Sequence, residues 1–69
     1  MIEKVKTDLK IIEEKFKGYI ESKQKSLENE ENKEYSNVEK IDQFNNQIEV
    51  LENTLENLQN TIEELDNYE

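Results

Sequence analysis

A heptad repeat of apolar residues runs without interruption through the second half of the chain. From Ile41 to Leu65 the steps between apolar residues alternate three and four, which is the spacing of positions a and d in a helix that buries one narrow seam against another helix. The sequence therefore predicts an all-α protein built from coiled-coil-type helices. The predicted seam consists of Ile41, Phe44, Ile48, Leu51, Leu55, Leu58, Ile62 and Leu65.

A second amphipathic helix is predicted near the start of the chain. Gly18 lies within it, but Gly inside a helix costs only about 1 kcal/mol relative to Ala, so we expect the helix to continue through this residue. Its heptad frame places Ile2, Leu9 and Phe16 at position a and Val5, Ile12 and Tyr19 at position d. Together with the seam of the second half, the residues expected to pack against a partner are Val5, Leu9, Ile12 and Phe16.

The two heptad frames are out of register by four residues across a polar junction. Such an offset indicates either a stutter in one continuous helix or a turn between two helices. Ser36 followed by Glu39 matches a capping box, which is typical of a helix N-terminus. On this basis we expect a first arm over 1–32, a polar turn over 33–36 and a second arm over 37–68.

Charge favours an antiparallel helical hairpin over one continuous long helix. Residues 1–34 hold eight Lys and nine acidic residues, whereas residues 35–69 hold one Lys and nine acidic residues, so the two arms are electrostatically unlike. A single helix of this chain would be about 100 Å long, and the lack of Gly and Pro at the junction is an argument for it. Folding the chain back pairs Leu9 with Ile62, Ile12 with Leu58, Phe16 with Leu55 and Ile20 with Leu51, and brings Lys6 near Asp66.

The residue types present exclude most catalytic and metal sites. The chain has no His, no Cys and a single Gly, so nucleophilic dyads with His, zinc sites with His or Cys and Gly-rich phosphate loops are excluded. The acidic tract from Glu28 to Glu39 resembles a calcium loop only superficially, since Lys33 stands where an EF-hand needs Gly. We therefore expect no catalytic residues, no metal, no cofactor and no enzymatic activity.

Charge and hydropathy also limit the partners. A net charge of −9 argues against direct binding to nucleic acid, whose phosphates would repel the chain. The sequence has no apolar run long enough for a signal peptide or a membrane span. We expect a soluble, intracellular protein that is not bound to a membrane, with cytoplasm and nucleus not distinguished.

Two function classes remain open. With 32% hydrophobic residues the isolated chain is not expected to be a stable monomer, because its arms cannot cover one another fully. The favoured hypothesis is a structural or assembly subunit whose seams pack against a second copy or against helices of a larger complex. The alternative is an acidic binding module or inhibitor that covers a basic surface, for example a nucleic-acid-binding one, with the column Asp42, Glu49, Glu56 and Glu63.

Overall fold

Two long helices packed side by side make up the fold. The computed structural model describes residues 1–68, in which α1 spans Ile2–Glu31 and α2 spans Val38–Asp66, with residues 32–37 between them. Lys6 near the start of α1 contacts Asp66 at the end of α2, so the helices are antiparallel, and no strand occurs in the described part of the chain. The expected helical hairpin is confirmed, within Cα dimensions of 54 × 15 × 11 Å.

The connection between the helices needs neither Gly nor Pro. No residue in the range 1–68 has a positive φ, and Asn32, the C-cap residue that follows α1, has φ −84° and ψ −4°. Because every residue of the turn stays in a backbone region open to ordinary side chains, polar residues alone can reverse the chain. The turn is slightly longer than the predicted 33–36, since α1 ends at Glu31 and α2 begins at Val38.

Asn37, rather than Ser36, caps α2. Its side-chain oxygen accepts a hydrogen bond from the backbone N–H of Lys40 at 3.3 Å, as an N-cap residue does. The predicted capping box of Ser36 and Glu39 is therefore wrong. In a capping box a Glu from the same helix binds the backbone N–H of the cap residue; here Glu30 of α1 does so, with its Oε1 2.9 Å from the nitrogen of Asn37.

The seam of α2 lies against α1 along its whole length. Ile62 is buried at 7% exposure, and the other seven predicted seam residues are partly buried. Counting inward from the contact of Lys6 with Asp66, the antiparallel register sets Leu9 within one residue of the level of Ile62, close to the expected pairing. It likewise sets Phe16 within one residue of Leu55 and Ile20 within one residue of Leu51.

The predicted d column of α1 is wrong, because Val5 and Ile12 are exposed. The positions that face α2 are the a column and the column one residue after d, where Ile20 is buried at 8% exposure. The physical reason is the length of the apolar contact. After Tyr19 the next residue of the d column is Ser26, whereas the column that packs against α2 contains Ile20 and Leu27. These two residues extend the apolar contact toward the turn. Ile12 is consequently not a core partner of Leu58.

Helix α1 continues through Gly18, as predicted. Nothing lies within 4 Å of the point where a Cβ on this residue would stand, so no close approach of α2 requires glycine here. No helix in residues 1–68 is both long and apolar enough to cross a membrane.

Candidate protein-interaction surface

The faces of the hairpin are the candidate functional surfaces. Residues 1–68 contain no group of three or more acidic side chains arranged to hold a metal ion. Every buried side-chain nitrogen and oxygen atom in the same range has a hydrogen-bond partner.

Helix α1 presents a mixed seam to α2. Of the nine positions of α1 that are buried or partly buried, four are charged, four are apolar and one is a serine, in contrast to the wholly apolar seam of α2. These positions are Lys6, Leu9, Glu13, Phe16, Ile20, Lys23, Ser26, Leu27 and Glu30. The hairpin thus uses only part of the apolar surface of α1 for its own core.

The rest of that apolar surface forms a stripe that α2 does not cover. Val5, Ile12 and Tyr19 are 42%, 41% and 56% exposed. Their seven-residue spacing sets them on one line along the helix, about 10 Å apart. We call these three residues the exposed column.

Tyr19 is held in place from within the hairpin. Its ring meets that of Phe16 edge to face, with centroids 6.2 Å apart and planes at 73°, a favourable geometry for two aromatic rings. Since Phe16 is itself packed in the seam, the more exposed ring has an ordered support. An aromatic side chain restrained in this way loses little conformational entropy when a partner covers it.

The two long sides of the hairpin differ in charge. On one side Lys6 donates a hydrogen bond to Oδ1 of Asp66 at 2.9 Å, and Lys10 contributes to the electrostatics of the same carboxylate. Helical geometry puts Lys10 and Val5 on opposite flanks of the α1 seam. The exposed column therefore lies on the side away from this ion pair.

Helix α2 adds uncharged residues to the same side as the exposed column. Thr54 donates its hydroxyl to the backbone oxygen of Val50 at 2.8 Å, and Thr61 donates to that of Asn57 at 3.0 Å. Because each hydroxyl proton is already bound within the helix, covering these side chains with an apolar surface costs less than covering free hydroxyls. We call the six residues Val5, Ile12, Tyr19, Gln47, Thr54 and Thr61 the uncharged face; the next member of the α2 column toward the turn is Lys40.

A shallow groove of about 440 Å³ continues the uncharged face toward the turn, between Lys23 of α1 and Gln47, Val50 and Leu51 of α2. The ammonium group of Lys23 lies 5.7 Å from the centroid of the Phe44 ring, within range of a cation–π contact. This contact sets a charged group over the ring of Phe44, so the seam becomes more polar near the turn.

The turn is closed by the carboxylate of Glu30, a residue that is 5% exposed. Besides accepting from Asn37, it forms an ion pair with Lys33, whose Nζ lies 2.7 Å from Oε2. The hydrogen bond from Lys33, followed by that from the backbone of Asn37, lowers the pKa of Glu30. At the open end of the hairpin, the hydrogen bond from Lys6 likewise lowers the pKa of Asp66.

These two carboxylates should make the hairpin sensitive to acid. Because their pKa values are lower in the folded than in the unfolded chain, their contribution to stability is complete above the ordinary values of 4.5 for Glu30 and 3.8 for Asp66. It is lost as the pH falls through the lowered folded values. We expect Glu30→Gln and Asp66→Asn to melt below the wild type at neutral pH, with the difference shrinking as the pH falls below 4.

Thermal melts followed by circular dichroism at matched chain concentration test this expectation. Acid also relieves repulsion among the other carboxylates, but it does so in wild type and variant alike, so the difference between the two isolates the named groups. A melting-temperature difference that stayed constant from neutral to acid pH would contradict it.

The acidic column of α2 points away from the seam. Asp42, Glu49, Glu56 and Glu63 are all exposed, and within residues 1–68 none of them forms a salt bridge. Their repeat of seven residues spaces the carboxylates about 10 Å apart. This column is a solvated, negatively charged stripe that leaves the uncharged face untouched.

The structure separates the predicted seam residues into two groups. The eight seam residues of α2, with Leu9 and Phe16, come together inside the hairpin, whereas Val5 and Ile12 lie outside it; their role in binding a partner stays a prediction. Sequence reasoning missed Thr54 and Thr61 as parts of a surface. Their signal was a seven-residue repeat of an uncharged, weakly polar residue beside the seam.

Fold and surface together define the chain as an antiparallel helical hairpin with an uncharged face on one of its sides. Comparison with protein-family models, with curated proteins and with solved structures gave no match.

Proposed function

We propose that this chain is an assembly module, whose uncharged face packs against helices of a protein partner. The observation that supports this proposal is the exposed column of Val5, Ile12 and Tyr19, aligned along a helix whose seam is already filled. Scattered apolar residues on a surface need no explanation, but an aligned apolar stripe beside residues of low desolvation cost is typical of protein interfaces.

The hairpin changes which surface is available for assembly. Because the seam of α2 is covered by α1, a partner meets the flank of α1 rather than the heptad seam of α2. A helix of the partner can lie along the exposed column and insert its own side chains between the three residues, as in other helix-on-helix contacts.

A charge placed on the exposed column tests the proposal. Ile12→Lys should remove the chain from its native complex, because docking would then desolvate a lysine. Ile11→Lys is the matched control: Ile11 is 52% exposed and lies about 100° around the helix from Ile12. The measurement is the size of the complex formed by each tagged variant in cell extract, after chemical crosslinking. The proposal would be refuted if the wild type, Ile12→Lys and Ile11→Lys all retained the complex equally, or if all three lacked it.

The exposed acidic column favours a second candidate function, a module that covers a basic surface of another protein. The triple change Glu49→Gln, Glu56→Gln and Glu63→Gln discriminates between the two. If the uncharged face makes the contact, this variant keeps the complex that Ile12→Lys loses. The opposite result, with loss only in the Gln variant, would replace the assembly module by the acidic one.

A further inference from the structure

We propose that the partner of the uncharged face is a second copy of this chain, so that two hairpins form an antiparallel four-helix bundle. This inference rests on the proposed function and names its partner. The contact would run along α1, with the exposed column of one copy against the exposed column of the other. Two features of the hairpin support a second copy over an unrelated partner: symmetry and charge.

The exposed column is self-complementary about its middle residue. Val5 and Tyr19 are each seven residues from Ile12, so a two-fold axis at Ile12 sets Val5 of one copy opposite Tyr19 of the second copy, twice. A small side chain then faces a large one at both ends, and Ile12 meets Ile12 of the second copy at the axis. A two-fold interface requires this kind of pairing, because the same patch serves both subunits.

The same axis gives a self-complementary match on α2. From the contact of Lys6 with Asp66, the residues of α2 level with Ile12 lie near Gln59. Val50 and Tyr68, which are 63% and 77% exposed, are each nine residues from that point. The axis therefore brings Val50 of one copy to the level of Tyr68 of the second copy, so two further exposed apolar groups gain a partner.

Charge also favours a second copy on this face. Each chain carries a net charge of −9, so two copies repel one another wherever acidic columns meet. The uncharged face avoids that repulsion. Beside it on α1 stand Asp8 and Lys15, and the two-fold axis sets Asp8 of one copy within one residue of the level of Lys15 of the second copy, which gives two symmetric opposite-charge pairs at the rim.

The two copies overlap along part of the hairpin. With the two-fold axis at Ile12, residues 2–22 of the two α1 helices lie side by side, a length of about 30 Å out of 54 Å. The contact is therefore smaller than an interface of standard size, and we expect the dimer to form at micromolar concentration.

Sedimentation equilibrium of the purified full chain tests the proposal, over low to high micromolar concentration and with helicity followed by circular dichroism. We expect the wild type and Ile11→Lys to dimerise, and Ile12→Lys to dimerise about 30-fold more weakly, because two lysines would meet at the axis. A wild-type chain that stayed monomeric, or a dimer equally weakened by both changes, would overturn the proposal.

A charge swap tests the antiparallel register without touching the apolar contact. Asp8→Lys and Lys15→Glu should each weaken the dimer, by about tenfold, since each sets like charges together across the interface. Combining both changes in one chain should restore the dimer, because the opposite charges are re-formed between copies. Additive weakening in the double variant would refute the two-fold arrangement.

The two proposals fail in different ways. If purified chains are monomeric but Ile12→Lys still loses a complex in cell extract that Ile11→Lys keeps, the second copy is wrong and the assembly module stands. If Ile12→Lys weakens no complex, either of the purified chain or in cell extract, both the second copy and the assembly module are wrong.

Discussion

Replacing Ile20 by Ala should lower the free energy of unfolding by about 2–5 kcal/mol, the range for truncating a buried Ile side chain to Ala. Ile20 and Ile62 are the two most buried apolar residues in the described part of the chain, at 8% and 7% exposure. A chain of this size has a total stability of only a few kcal/mol. The variant is therefore expected to be largely unfolded at temperatures where the wild type is helical.

Ile11→Ala provides the matched control for this loss. It removes the same atoms from the same helix, but at a residue that is 52% exposed, and it gains the same helix propensity. Denaturant melts at one fixed chain concentration compare the three proteins, because association would couple to unfolding. Equal destabilisation by the two Ala changes would show that Ile20 does not belong to the core.

Filling the charged seam positions of α1 should have an effect of similar size in the opposite direction. Glu13 and Lys23 lie on the seam and are partly buried, and the register sets them near Leu58 and Ile48 of α2. Changing both to Leu would continue the apolar contact along α1. We expect the free energy of unfolding of the double variant to rise by about 2–4 kcal/mol, because burial of the apolar surface of each new Leu contributes about 1–2 kcal/mol.

The same substitutions on the outer face of α1 control for hydrophobicity alone. Glu21→Leu and Lys25→Leu add identical groups at exposed positions, where they should leave the melting temperature nearly unchanged. The measurement is a thermal melt of both double variants at equal concentration. If the outer pair stabilised the hairpin as much as the seam pair, the assigned seam of α1 would be wrong.

The seam of α2 could be predicted in full because only one apolar stripe exists on that helix. Between Ile41 and Leu65 the seam residues repeat without a gap, and Val50 is the one apolar residue outside the stripe. The contact of Lys6 with Asp66 could also be foreseen, since the register and the unequal charge of the arms both indicated it. The periodicity of the second half was thus sufficient to predict most of the fold.

Helix α1 offered two stripes that share Leu9 and Phe16, and local periodicity could not choose between them. One uses Val5 and Ile12, and the other uses Ile20 and Leu27. The choice depends on the length of contact with α2, which is a tertiary property. The uncharged face could not be predicted for the same reason, because its α1 residues are those of the stripe that does not pack against α2.

The cap of α2 was missed for a different reason. Ser36 and Asn37 are both good N-cap residues, so local chemistry left the boundary open by one residue. The cap residue of α2 is determined by Glu30 of the preceding helix, which accepts a hydrogen bond from the backbone N–H of Asn37. A contact between helices cannot be read from an N-cap pattern within one of them.

The contacts at the two ends of the hairpin imply an order in which the chain closes and frays. Glu30 and Asn37 are seven residues apart, whereas Lys6 and Asp66 are 60 apart. Bringing Lys6 and Asp66 together from an open chain costs about 2 kcal/mol more loop-closure entropy than bringing Glu30 and Asn37 together. The helices should therefore pack first near the turn and last at the open end. Val5 belongs to the end that closes last, and a second copy seated on the exposed column would hold that end shut.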